Sequence, residues 1–157
     1  MRLVPLPQMA VEFGVNEGRT AKLVLREFPS LRHYVGIDVE PDYVPALPVQ
    51  RQERPERPGH LAASDARFEL MITRRGSLDL SPADIGPTDI AFIDGDHSAA
   101  VVAHDAELAR AIVQPGGIII FHDYNEFVDV RAILDRDFEQ GRDIRHVENT
   151  WLAFERG

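Results

Sequence analysis

Cysteine is absent from the 157 residues of this chain, which excludes disulfide bonds and thiolate metal ligands. That absence is typical of a cytoplasmic protein, and this is the location we expect. Positive charge is also scarce, because 17 Lys and Arg face 26 Asp and Glu, for a formal net charge of −9. A chain of this charge repels a phosphate backbone, and its basic segment RQERPER at 51–57 is interrupted by acids. We therefore expect no nucleic-acid partner.

Long apolar runs are missing as well. No run approaches the roughly 20 residues of a membrane span, and the N-terminus lacks the charged-then-apolar order of a signal peptide. We therefore expect no membrane partner. The length suits a single domain, residues 1–157, which can bury a core without disulfides or a structural metal.

What the sequence does contain is a regular alternation of strand and helix patterns. Apolar runs predict strands at 9–13, 33–38, 68–73, 90–94 and 118–121, and helical spacing predicts helices at 20–28, 98–113 and 127–138. Ser98 is a predicted N-cap. Segments 143–147 and 150–154 predict a closing antiparallel hairpin. Such alternation predicts an α/β fold with a mostly parallel sheet and right-handed crossovers.

The connection between the second and third predicted strands departs from this pattern. It carries prolines at 41, 45, 48, 55 and 58, and a proline inside a helix costs about 3 kcal/mol. We therefore expect a loop over 41–58, either ordered or mobile, where an α/β fold would usually have a crossover helix.

The first chemical motif is VEFGVNEGRT at 11–20. Gly14 and Gly18 allow the main chain to approach a ligand closely at the end of the first strand. Asp38 ends the second strand about 20 residues later, where a carboxylate accepts hydrogen bonds from two ribose hydroxyls. Together these residues predict a nucleoside site. The alternative is structural: the glycines tighten a turn and Asp38 caps it.

The spacing of the motif bears on which nucleoside binds. A dinucleotide site prefers GxGxxG, and Glu17 would repel a diphosphate but suits the ammonium group of an amino acid. NAD-dependent redox chemistry is therefore disfavoured. The series Glu12, Gly14, Asn16, Gly18 resembles the first motif of class I S-adenosylmethionine-dependent methyltransferases, with Asn16 in place of the middle glycine. The resemblance implies that these four residues and Asp38 bind the cofactor.

Two later motifs extend the resemblance from about residue 11 to the end of the chain. With DIAFIDGDHS at 89–98 and PGGIIIFHDY at 115–124, the sequence resembles metal-associated small-molecule O-methyltransferases, a family that includes macrolide sugar O-methyltransferases and cephalosporin hydroxylase relatives. The resemblance implies a Rossmann-like three-layer αβα sandwich with a seven-stranded sheet. It also places Gly76 and Ser77 along the adenine and Leu78 on the base, against the alternative of a plain turn.

The later motifs also supply the candidate catalytic residues. Asp94 and the pair His122 and Asp123 end neighbouring strands, so they meet at the carboxyl edge of the sheet and suit Mg²⁺ or another divalent cation. The family holds such a metal with acids, so His122 is a departure, and the alternative is that Asp94 and Asp123 cap loops. Asp94 also borders the cofactor. His97 is a candidate general base, against a capping role.

We expect Asp105 to be partly buried with a structural role, and Phe121, Phe127 and Trp151 to belong to the core. We also expect the N-terminal helices that cover the substrate in many relatives to be missing. A homo-oligomer, a partner subunit or the proline-rich segment would then cover the acceptor site.

The predicted function is transfer of the methyl group of S-adenosylmethionine to a hydroxyl of a small molecule, such as a sugar or another natural-product intermediate. The alternative is a nucleoside-binding module or subunit without turnover.

Overall fold

The computed structural model describes residues 4, 6–47 and 55–157. The strands and helices follow in the order β1 (Met9–Phe13), α1 (Arg19–Glu27), β2 (His33–Val39), β3 (Phe68–Thr73), a 3₁₀ turn (Gly76–Asp79), α2 (Pro82–Ile85), β4 (Thr88–Ile93), α3 (Ala99–Ile112), β5 (Val113–Phe121), α4 (Val128–Glu139), β6 (Arg145–His146) and β7 (Ala153–Arg156).

The sheet has seven strands in the order β3-β2-β1-β4-β5-β7-β6. Strands β1 to β5 pair in parallel, whereas β7 pairs antiparallel with β5 and β6. This confirms the predicted mostly parallel sheet with a C-terminal antiparallel hairpin. Because β1 to β5 are parallel, their carboxyl ends lie at one edge of the sheet. The strand order reverses between β1 and β4, and α/β folds bind ligands at such a point on this edge.

The predicted element boundaries agree with the structure to within a few residues, with two exceptions. β5 begins at Val113, five residues before the predicted strand, and its register with β4 shifts between Thr88 and Ile90. The 3₁₀ turn and α2 were not predicted, because four-residue elements are too short to show a helical period.

Helices cover the sheet on both faces, which confirms the three-layer sandwich. The alternating side chains of β1 show why: Val11 and Phe13 belong to one buried cluster, with residues of α3 and α4, and Ala10 belongs to the other, with residues of α1. α3 and α4 are tied to β7 by a buried ion network. Arg110 contacts Asp137 and Glu155, each at 2.8 Å.

The connection between β2 and β3 contains no helix among its described residues, 40–47 and 55–67. This agrees with the predicted loop, although residues 48–54 lie outside the described residues. The C-terminal part of this connection is hydrogen-bonded to the β1–α1 loop. The amide of Gly59 donates to the carbonyl of Asn16 at 2.7 Å, and the amide of Leu61 donates to the carbonyl of Glu17 at 2.9 Å.

An apolar groove of about 720 Å³ remains on the α1 face of the sheet. β4, β5 and the segment before β7 line its far side with Ile90, Phe92, Ile120 and Leu152. Trp151 also lines this groove and is 57% exposed, so the prediction that it belongs to the core was wrong. Its position in the turn before β7 directs it outwards. In the part of the chain described, no helix is long and apolar enough to cross a membrane.

Candidate functional site

The loop after β1 has the predicted backbone. Gly14 and Gly18 have φ values of +85° and +87°, and Asn16 adopts the same left-handed region at +47°. A Cβ atom on Gly14 would lie 2.4 Å from the carbonyl oxygen of Asp94. Gly14 is therefore required by the close approach of the β1 and β4 ends, whether or not a ligand is bound.

Asp38 lies at the end of β2 with its carboxylate fixed by main-chain amides. Oδ2 accepts a hydrogen bond from the amide of Asn16, and Oδ1 accepts one from the amide of Val39, both at 2.8 Å. The carboxylate lines a cavity of about 520 Å³ together with Gly14, Asn16 and the 3₁₀ turn. Each oxygen of a carboxylate can accept more than one hydrogen bond, so a carboxylate held in this way suits neighbouring hydroxyls.

The cavity also brings Gly76 and Ser77 to the same site as Asp38, as predicted. Three predicted cofactor residues lie outside its lining. Glu12 is only 1% exposed and accepts a hydrogen bond from the Tyr34 hydroxyl at 2.9 Å. Burial raises the pKa of Glu12 to about 8. Gly18 packs against Gly59, and Leu78 is partly buried beyond the cavity wall.

Glu17 is half-buried and forms an ion pair with Arg19, with 2.7 Å between its Oε2 and the guanidinium nitrogen. It is not part of the cavity lining.

The second half of the cavity contains a cluster of two aspartates and two histidines. Nδ1 of His122 lies 3.2 Å from Oδ1 of Asp94 and 3.0 Å from Oδ1 of Asp123. Nε2 of His97 lies 3.0 Å from Oδ2 of Asp123 and 3.7 Å from Oδ1 of Asp94. The structure thus brings together all four residues that the motifs after β4 and β5 predicted.

Backbone and ring contacts fix the geometry of this cluster. Asp123 has a φ of +59°, an uncommon conformation for a residue that is not glycine, and such strain is often found at functional sites. The His97 ring stacks on Phe127 with 4.3 Å between centroids and an 8° interplanar angle. Phe127 is therefore partly buried against the cluster and packs at the edge of the core.

The charged groups of this cluster strongly shift one another's pKa values. Burial lowers the pKa of His97, but the carboxylates of Asp123 and Asp94 outweigh burial and raise that pKa to about 9. The same two carboxylates raise the pKa of His122 to about 10. Burial would raise the pKa of both aspartates, yet the two imidazoles hold each of these pKa values below the usual range.

The donor set of this cluster fits a divalent cation. One donor atom each from Asp94, His97 and Asp123 lies within 4.8 Å of the other two, a separation that one bound ion can span. Nδ1 of His122 is buried and, among the described residues, makes no hydrogen bond of good geometry despite its two carboxylate neighbours. His97 was predicted only as a base, and its place among the donors was missed because a sequence does not show how its loop folds back.

Three further cavity residues were not predicted as site residues. Tyr43 reaches in from the proline-rich connection, and its hydroxyl donates to Oδ2 of Asp96 at 2.9 Å. Trp151 lines both this cavity and the apolar groove. Asp105, on α3, is 1% exposed and lines the cavity next to Ser77. Its helical position pointed to burial but could not show that the buried face meets a cavity.

The fold is a Rossmann-like α/β sandwich whose parallel strands end at one cavity, the architecture of class I methyltransferases. Residues 11–124 match the model of a family described as a methyltransferase domain. Because this match covers most of the chain, the protein belongs to that methyltransferase-domain family, which confirms the predicted family and fold.

One viral protein is similar in sequence to much of the chain. The uncharacterized protein R132 of Acanthamoeba polyphaga mimivirus is 29% identical over 122 residues, which cover 74% of this chain and 52% of that protein. The chain thus spans about half the length of this curated relative.

Solved structures show the same fold. The calicheamicin methyltransferase CalS11 is 16% identical, with a TM-score of 0.67, over 98% of this chain and 74% of its own. The O-methyltransferase TomG of Streptomyces achromogenes, solved in complex with S-adenosylmethionine, is 16% identical, with a TM-score of 0.61, over 97% and 74%.

Proposed function

We propose that this protein transfers the methyl group of S-adenosylmethionine to a hydroxyl of a small molecule. The observation that carries the proposal is one continuous cavity, lined by Asp38 and the glycine loop at one end and by the Asp94, His97, His122 and Asp123 cluster at the other. Membership of the methyltransferase-domain family supports it. O-methyltransferases such as TomG, which share the fold, support the choice of oxygen as acceptor.

In this proposal Asp38 accepts hydrogen bonds from the two ribose hydroxyls, and the glycine loop positions the methionine part. The acceptor oxygen attacks the methyl carbon of the sulfonium, the carbon–sulfur bond breaks, and S-adenosylhomocysteine leaves as a neutral thioether. The hydroxyl proton passes to a base of the cluster. Most of the rate enhancement comes from holding the two reactants in line.

The cluster would also hold a divalent cation through Asp94, His122 and Asp123, which leaves the base role to His97. When bound, a divalent cation would lower the pKa of the acceptor hydroxyl and stabilise the charge that develops on its oxygen. Imidazole nitrogens favour ions such as Fe²⁺, Ni²⁺ or Zn²⁺, whereas Mg²⁺ prefers oxygen ligands. We therefore propose that this site favours a transition metal over Mg²⁺.

The proposed base role of His97 depends on its protonation. With a pKa of about 9, the imidazole is protonated at neutral pH while both carboxylates face it. A cation that neutralises those carboxylates would release the proton and free His97 to accept one from the substrate. His97 as base and the cation are thus linked parts of one proposal.

We also propose that the acceptor site is covered by a second copy of the chain or by a partner subunit. The apolar groove lies next to the cluster, and Trp151 lines both. Exposed apolar surface of this kind marks an interaction site more often than free surface. Light scattering at micromolar concentration should show a dimer or larger; a clean monomer that turns over substrate would contradict this proposal.

The test of function separates cofactor binding from chemistry. In calorimetry, Asp38→Ala should weaken S-adenosylhomocysteine by about 1.5 to 3 kcal/mol, because charge-assisted hydrogen bonds to the ribose are lost. Unchanged affinity, or tighter binding of NAD, would contradict the nucleoside assignment.

Asp123→Asn is the matched variant for the chemistry, because it alters the cluster and leaves Asp38 in place. Labelled cofactor is assayed against a panel of sugars and phenols, with EDTA and with Mg²⁺, Mn²⁺ or Zn²⁺ added back. We expect this variant to lose transfer and metal dependence while S-adenosylhomocysteine affinity hardly changes. Binding without turnover under every condition would favour the nucleoside-binding module instead.

A further inference from the structure

Asp105 is a buried acid in an unusual position. It lies in the middle of α3 and is 1% exposed, and its Oδ1 is buried without a hydrogen-bond partner among the described residues. Buried carboxyl groups are normally paired or fully hydrogen-bonded, because an unsatisfied one is costly. A buried acceptor left open in the free protein therefore needs a reason.

The other buried acids of α4 and β7 show the usual solution. Asp137 is 3% exposed, and although its Oδ2 makes no hydrogen bond of good geometry among the described residues, that oxygen lies 2.8 Å from the guanidinium group of Arg110, which also contacts Glu155. Asp105 has no such ion pair within the described ranges. Burial raises the pKa of Asp105 to about 7, with the Ser77 hydroxyl acting in the opposite direction. Oδ1 of Asp105 thus has no hydrogen-bond donor, and no cationic side chain among the described residues forms an ion pair with this acid.

The position of Asp105 indicates what the open acceptor is for. It lines the cavity together with Ser77 from the 3₁₀ turn and Gly95 from the end of β4. Its Oδ2 lies 3.6 Å from the position that a Cβ atom on Gly95 would occupy. Asp38 lies at the end of β2 on the same cavity, so a nucleoside with its ribose at Asp38 would extend its base towards Ser77 and Asp105.

We infer that Asp105 recognises the base of the cofactor by accepting a hydrogen bond from the exocyclic amine of adenine. This inference rests on the proposed function, because it assumes that an adenosine-containing cofactor occupies the cavity. It assigns Asp105 a role in base specificity, which a structural role on α3 would not include. An amine donates to the open oxygen, whereas a carbonyl at the same position of the base repels it.

The test compares S-adenosylhomocysteine with S-inosylhomocysteine, in which a carbonyl replaces the exocyclic amine. Calorimetry with the wild-type protein, at a pH above the Asp105 pKa of about 7 so that the carboxylate is ionised, should show at least about tenfold weaker binding of the inosine analogue, because two acceptor oxygens then face each other. In Asp105→Asn the side-chain amide can donate to that carbonyl. The preference should fall to about threefold or less, or reverse.

Asp137→Asn is the matched control, because it changes a buried aspartate outside the cavity and should keep the wild-type preference. Equal affinity of the wild-type protein for the two analogues would overturn the inference while leaving the proposed function intact, and that measurement needs no variant. An unchanged preference in a folded Asp105→Asn would also overturn it. Binding of neither analogue would overturn both the inference and the proposed function.

Discussion

Replacing Gly14 with alanine tests whether the site is built on the close approach of two strands. The added Cβ would meet the carbonyl oxygen of Asp94 at 2.4 Å and Cα of Gly95 at 2.5 Å. Both are main-chain atoms, so no side chain can move aside. The φ of +85° adds a second cost, because alanine disfavours the left-handed region.

These two costs can be estimated separately. Left-handed backbone costs an alanine about 1 to 2 kcal/mol, and forcing extra volume into a packed site costs about 1 to 3 kcal/mol more. We therefore expect Gly14→Ala to lower the free energy of unfolding by about 2 to 5 kcal/mol. Because the clash displaces the end of β4, affinity for S-adenosylhomocysteine should fall as well.

Gly116→Ala is the matched control. Gly116 has nearly the same φ, +87°, but a Cβ there would have no heavy atom within 4 Å. It should cost only the backbone strain, about 1 to 2 kcal/mol, and leave cofactor affinity unchanged. Urea unfolding followed by circular dichroism measures both variants. If their costs agree to within about 0.5 kcal/mol, the close-approach argument is refuted.

Two further predictions concern buried charges outside the cavity. Arg110→Leu should lower the free energy of unfolding by about 3 to 5 kcal/mol, because it leaves Asp137 and Glu155 buried without their cation. Arg131→Leu is the control: it removes an exposed ion pair with Asp135 and should lower the free energy of unfolding by under about 1 kcal/mol. Equal losses in urea unfolding would contradict this. Burial raises the pKa of Glu12 from 4.5 to about 8, so its stabilising contribution is full below pH 4.5 and is lost as pH rises through about 8. Wild-type stability should therefore fall across this range by a few kcal/mol more than that of Glu12→Gln.

The comparison with Glu12→Gln is needed because other groups titrate in the same direction. Burial also raises the pKa of Asp105 to about 7, and the aspartates of the cluster raise the pKa of His97 to about 9. Each of these groups binds its proton more tightly in the folded state, so each makes stability fall as pH rises. Parallel pH profiles of wild type and Glu12→Gln would show that Glu12 is not held neutral by burial.

The sequence by itself determined the sheet and the identity of the candidate site. Strand and helix periods are local properties, so they predicted β1 to β5, the larger helices and the hairpin. Asp38, Asp94 and His122 with Asp123 could be placed together because each follows a strand, and parallel strands end at one edge. Asn16 stands where the resembled motif has its middle glycine, and asparagine tolerates the left-handed backbone that the structure shows there.

Only the tertiary structure decided which of these residues face the cavity. Glu12 belongs to the cofactor motif in sequence, yet strand alternation buries it against Tyr34. Trp151 is apolar and was expected in the core, but its turn places it in the open groove.

Asp105 and His97 show the same limit in another way. Helical spacing predicted that Asp105 is buried. Whether neighbouring groups hydrogen-bond to its carboxyl oxygens depends on how α3 packs against the end of β4 and the 3₁₀ turn. His97 joins the metal-type donors because its loop folds towards Asp123. Contacts between residues distant in sequence arise when whole helices and strands pack together, and local sequence patterns do not predict them.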